Sequence, residues 1–104
     1  MLQYLKTIVA GIKAGSAQGQ LMKGNYDKAL SLVDRAIALD VEGETNPVYL
    51  SIKGKCYYHL NDRKKAKKYL EVAESQLSQL LENDGESHVI NELSKLKGYI
   101  EKCR

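Results

Sequence analysis

With 104 residues and a mass of 11.6 kDa, the chain has room for one domain and one modest core, and it is too short for enzyme architectures built on a large sheet. Apolar residues at 43% and charged residues at 28% belong to a globular chain and exclude a disordered one. The net charge of +3 is mildly basic and does not by itself imply a nucleic-acid partner.

The N-terminal stretch predicts a helix over 2–23, with Leu2, Leu5, Val9 and Ile12 on one side before the chain runs into small residues. Gly24-Asn25 breaks it, and Asn25 is placed to cap a second helix over 26–39. The inward face of that helix reads Tyr26, Ala29, Leu30, Val33, Ala36 and Ile37. A polar loop over 40–46 leads to Asn46-Pro47, a helix start: Asn caps, and Pro fits a first turn whose N–H would be unpaired anyway.

A third helix runs to about 60, and Asn61-Asp62 supplies the next turn and cap. The fourth helix, about 63–82, turns Ala66, Tyr69, Leu70, Ala73, Leu77, Leu80 and Leu81 inward, and Asn83-Asp84-Gly85 stops it. Ser87 is placed to cap a fifth helix whose stripe is Val89, Leu93, Leu96, Ile100 and Cys103. No segment alternates with period two for long enough to make a strand, and one proline argues against a sandwich or barrel. The expected class is all-α. With neither Phe nor Trp, its core must come from Leu, Ile, Val, Ala and Tyr.

The apolar stretch 7–12 lies between Lys6 and Lys13 and is too short for a secretory core or a membrane span, so the expectation is a cytoplasmic protein without membrane association. Cys56 and Cys103 sit singly on helical stretches and read as small core residues. With only His59 and His88 beside them, no zinc spacing can be assembled. No metal or cofactor is expected.

A shift of 37 residues aligns the first helix pair with the second. Ala17 falls on Gly54, Leu21 on Tyr58, Lys28 on Lys65, Ala29 on Ala66, Leu32 on Tyr69, Val33 on Leu70 and Ala36 on Ala73. Small residues recur where two helices must cross closely. The segment Gly24-Asn25-Tyr26-Asp27-Lys28-Ala29-Leu30, followed by Val33, Ala36 and Leu39-Asp40, resembles the turn and second helix of the tetratricopeptide repeat family. In the second unit, Gly54, Tyr57, Leu60, Ala66, Leu70 and Ala73 stand where that family places its small and large packing residues.

The resemblance covers about residues 10–77. It departs from the family at Lys13, where an aromatic is usual, at Val41 in place of the closing proline, and in a three-residue insertion over 41–46. It implies one domain over 1–104, a short right-handed solenoid. A first repeat would span about 10–40, a second with an extended last helix 47–82, and a capping helix 87–103.

Four surfaces are candidates for function. Gly11, Gly15 and Gly19 lie four apart on one face of the first helix, at a cost of about 1 kcal/mol each relative to Ala. They admit three readings: close packing of another helix of this chain, a break near Gly15, or the floor of a groove. The resemblance implies the groove, because the first helix of each repeat lines the concave side. It would then place Ser51, Lys55, Tyr58 and His59 on the wall, joined by Gln18 and Met22. A basic and aromatic groove suits an acidic or C-terminal peptide. Of the carboxylate clamp used by some family members, Lys55 alone matches in type and no Asn pairs with it.

The third surface is Arg63, Lys64, Lys65, Lys67 and Lys68, five bases opening a helix where the macrodipole disfavours them. Residues 53–68 hold seven bases and one acid, whereas 71–86 hold five acids and no base, so the surface is dipolar. Glu71 and Glu74 stand at pairing distance along the helix. A solvated face is the simplest reading of these bases and an acidic protein patch the next. Nucleic acid is disfavoured, because no recognition motif accompanies them. The fourth surface is the last helix, which either caps the end of the stack or forms a homodimer seam.

No nucleophile–base pair or phosphate loop can be assembled, and an enzyme is not expected. The expected function is binding another protein, through a groove that takes a partner segment. The alternative is an inhibitor or immunity-type protein that covers a toxin or enzyme through a charged face.

Overall fold

The computed structural model describes residues 2–84 and 87–103, with side chains over 4–80 and 90–103. The side chains of Leu2, Leu81, Ser87 and Val89, and Gly85 altogether, lie outside the described residues. The elements are α1 (Leu2–Met22), α2 (Tyr26–Leu39), a 3-10 turn (Gly43–Thr45), α3 (Pro47–His59), α4 (Arg63–Asp84) and α5 (Ser87–Lys102). The chain is all-helical, as its periodicity implies. Among the described residues no helix is long and apolar enough to cross a membrane.

Each helix pairs first with its chain neighbour: α1 with α2, and α3 with α4. The two hairpins meet where α3 lies against α2, and α5 lies against α4. The 37-residue register is visible in burial, because Ala17, Ala29, Val33 and Ala36 in the first hairpin and Ala66, Leu70 and Ala73 in the second are all fully enclosed. Gly54 occupies the place of Ala17. A Cβ added there would stand 2.6 Å from Leu70 Cγ, so only glycine lets α3 and α4 approach this closely.

Two packed clusters result. The first joins Ala10, Ala14 and Ala17 of α1 with Ala29, Val33 and Ala36 of α2 and Tyr49, Ile52 and Cys56 of α3. The second joins Leu50 of α3 with Ala66, Leu70, Ala73 and Leu77 of α4 and Leu93, Leu96 and Ile100 of α5. Helix α3 therefore serves both cores and is covered on several sides. Lys53 and Asp34 pair at 2.7 Å and tie α3 to α2. Burial pulls the Lys53 ammonium toward its neutral form, but the Asp34 hydrogen bond and charge, helped by Tyr69 and Tyr57, outweigh that and leave its pKa raised.

The ends of the helices follow local chemistry. Asn46 Oδ1 accepts from the Val48 and Tyr49 amides, and Asp62 Oδ1 accepts from the Lys65 amide, as the capping pattern predicts. Asn25 differs. It stands at the N-cap of α2, but its side chain makes no cap bond and instead donates to Gln20 Oε1 at 2.7 Å. The turn before it is made by Gly24 at φ +84°. The inserted loop is held by Gly43, packed so closely on the Ile37 backbone that a Cβ has no room, and by the Tyr49 hydroxyl, which donates to Asp40 at 2.9 Å.

Three expectations need correction. Helix α1 buries its alanines, not its large residues: Leu5, Val9 and Ile12 are 57%, 41% and 64% exposed. The reason is the close α1–α2 crossing, which admits only small side chains between the axes. The helix is continuous through Gly15, so no break occurs there. Finally, α4 runs two residues beyond 82, and Leu80 is largely exposed, not inward.

Candidate functional site

An open trough of about 860 Å³ runs between α1, α3 and α5. Helices α1 and α5 each touch α3 but, among the described residues, not each other, which leaves α3 as the floor and the other two as walls. Gly11, Ala14, Gly15 and Gln18 form one wall, Val48, Ser51, Ile52 and Lys55 the floor, and Asn91, Glu92 and Lys95 the other wall. Leu77 and Leu80 of α4 line it as well.

The glycines do not receive another helix of this chain. A Cβ at Gly11, Gly15 or Gly19 would meet nothing within 4 Å, so the internal-packing reading is overturned. Gly11 and Gly15 face the trough together with Gln18. Gly19 lies further round α1, and Met22 is 79% exposed near the helix end; neither lines the trough.

Ser51 and Lys55 do line the floor, and both are buried. They sit one turn apart on α3, and both reach one atom of α5: the Ser51 hydroxyl donates to Glu92 Oε1 at 3.2 Å and the Lys55 ammonium at 3.1 Å. The positive charge expected on the groove wall is thus balanced within the chain. Glu92 was not visible as a site residue from sequence. Its signal is an acid placed four before Leu96 and seven before Tyr99, on the packed edge of an amphipathic helix.

Tyr58 and His59 stand one turn beyond Lys55 in an aromatic cluster outside the trough lining. The His59 ring stacks on Tyr26 at 4.4 Å, and Tyr58 meets Tyr99 edge-on at 5.3 Å. Lys55 links cluster and trough, with its ammonium 5.6 Å from the Tyr99 ring centroid. Burial, chiefly, raises the Tyr99 hydroxyl above the usual phenol range.

The basic patch lies elsewhere. Arg63, Lys64, Lys65, Lys67 and Lys68 are all exposed on the first turns of α4. Lys65 lies 4.0 Å from Asp62 and Lys67 3.8 Å from Glu71. Lys65 and Lys68 also cover the stacked Tyr57–Tyr69 pair, at 5.3 and 5.5 Å from the respective rings. Helix α5 uses Leu93, Leu96 and Ile100 against α4, so that stripe is enclosed and is not a free homodimer seam. Cys56 is buried and Cys103 half-buried, both as free thiols.

No family model, curated protein or solved structure matches this chain.

Proposed function

We propose that this chain is a tetratricopeptide-like module that binds another protein by taking a segment of it into the trough. The observation that carries the reading is the pair Gly11 and Gly15, whose missing side chains leave open space along one trough wall. Glycine on a helix costs stability, and here no internal neighbour offsets that cost. A partner resting on the exposed backbone offsets it.

The lining indicates the segment. Ala14, Val48, Ile52, Leu77 and Leu80 suit apolar anchors, while Gln18, Asn91 and Lys95 lie on the rims within reach of a peptide backbone or acidic flank. With Lys55 held by Glu92, apolar anchoring carries more of the recognition than charge does. The repeat register supports the family reading, because positions 37 apart are enclosed in the same way.

The test is a peptide library panned against the whole chain, with binding mapped by amide chemical-shift changes. Binders should move Gly11, Gly15, Ser51 and Lys95, and Gly15→Leu should remove them. Binders that map away from the trough contradict the reading. A second reading is an inhibitor or immunity-type protein that covers an enzyme with α4, supported by the exposure of all five bases of the patch. In that case Lys64→Glu with Lys68→Glu abolishes capture of the partner, and Gly15→Leu does not.

A further inference from the structure

The outer face of α1 carries an unused stacking surface. Helices α3 and α5 each pack back on the preceding helix through residues with the same spacing: Tyr49, Ile52 and Cys56 on α3, and Leu93, Leu96 and Ile100 on α5. The same positions on α1, 37 residues before those on α3, are Ile12, Gly15 and Gly19. Among the described residues no other helix covers them. Ile12 is the more exposed for it, and Leu5, Ile8 and Val9 extend the uncovered apolar surface.

We propose that a second copy of this chain covers this face, with α1 lying antiparallel on α1 about a two-fold axis at Ile12. The distribution of size along the face selects that occupant. Its N-terminal half is large, with Leu5, Ile8 and Val9, and its C-terminal half is small, with Gly15, Ser16 and Gly19. Antiparallel pairing sets Leu5 against Gly19, Val9 against Gly15, and Ile12 against its own counterpart. Leu5, Ile8 and Val9 then each face a small residue, Ile12 meets Ile12 at the axis, and the two-fold operation supplies each off-axis contact twice.

Charge permits the same pairing. At 100° per residue Lys6 and Lys13 lie about 100° or more around the helix from Ile12, off the seam. A contact along 21 residues of helix covers on the order of 1,000 Å² in total, the lower end of specific interfaces, which fits a reversible dimer. Gly11, Ala14 and Gln18 lie on the trough side of α1, about 100° or more around the helix from Ile12, and Gly15 stands at the border of the two faces.

Sedimentation velocity on the whole chain, from about 1 µM to about 1 mM, tests the proposal over the range where a contact of this size dissociates. A monomer–dimer equilibrium is expected, and Ile12→Glu should weaken it by more than tenfold by setting two carboxylates at the axis. Gly19→Leu separates seam from fold: it fills open space on a helix and should raise the melting temperature at low concentration while weakening the dimer. In a Cys103→Ser background, Ile12→Cys should oxidise to a disulfide-linked dimer, and Met22→Cys should not. A monomer throughout, a dimer indifferent to Ile12→Glu, or a dimer tightened by Gly19→Leu overturns the proposal.

Discussion

Lys55 of α3 and Glu92 of α5 form an ion pair of 3.1 Å that fixes one wall of the trough to its floor. Lys55 is only 9% exposed, so removal of its partner leaves a cation with poor access to water. Glu92→Ala should therefore destabilise the chain by about 1–3 kcal/mol, read from urea unfolding. Combining it with Lys55→Met should recover much of the loss, because a half-buried ion pair contributes little beyond an apolar pair of the same volume. Additive losses in the double mutant would contradict this account.

The Tyr49 hydroxyl is pushed up from 10.0 to about 12, first by burial and then by its hydrogen bond to the Asp40 carboxylate and that group's charge. The folded chain thus holds this proton more tightly than the unfolded one. The sign follows: the contribution is complete below about pH 10 and is lost as pH rises toward 12. The raised Lys53 ammonium acts in the same direction. Urea midpoints should fall between pH 10 and 12, and Tyr49→Phe should flatten that fall. An unchanged slope in the variant would remove Tyr49 as its cause.

The two thiols should differ in reactivity. Cys56 is fully enclosed, and burial, with a smaller effect from Asp34, pushes its thiol up to about 11. Cys103 is also raised by burial, but Arg63 and Lys67 oppose the shift, and its side chain is partly accessible. A thiol reagent at neutral pH should label Cys103 first, and Cys56 only at the rate at which the hairpins part. Equal labelling rates in the native chain would show that α3 does not lie closed between its neighbours.

Most of the architecture could be read from residue spacing, because each of the five described helices carries its inward residues in a 3–4 rhythm. Ala29, Val33 and Ala36 of α2, and Ala66, Leu70 and Ala73 of α4, are enclosed as that rhythm predicts. Helix α1 misleads because it carries two stripes. The larger side chains form the more conspicuous one, yet the close crossing with α2 selects Ala10, Ala14 and Ala17. In the 37-residue register Ala14 falls on Ser51, and both are enclosed.

The trough was legible in part. Gly11, Gly15, Gln18, Ser51 and Lys55 line it together, whereas Gly19, Met22, Tyr58 and His59, expected beside them, lie beyond its lining. Asn91, Glu92 and Lys95 belong to it only because α5 folds back along α3, a long-range contact with no local periodicity to announce it.

Two glycine substitutions test the central geometry most directly. A Cβ at Gly15 enters open space, whereas one at Gly54 meets the enclosed Leu70 side chain at 2.6 Å and its backbone nitrogen at 3.2 Å. Thermal unfolding of Gly15→Ala and Gly54→Ala, measured side by side at low protein concentration, should move in opposite directions. The account predicts a gain of about 1 kcal/mol for Gly15→Ala and a loss of about 1–3 kcal/mol for Gly54→Ala. A destabilised Gly15→Ala, or a Gly54→Ala that melts above the parent chain, would mean that the close crossing and the open wall have been assigned to the wrong helices.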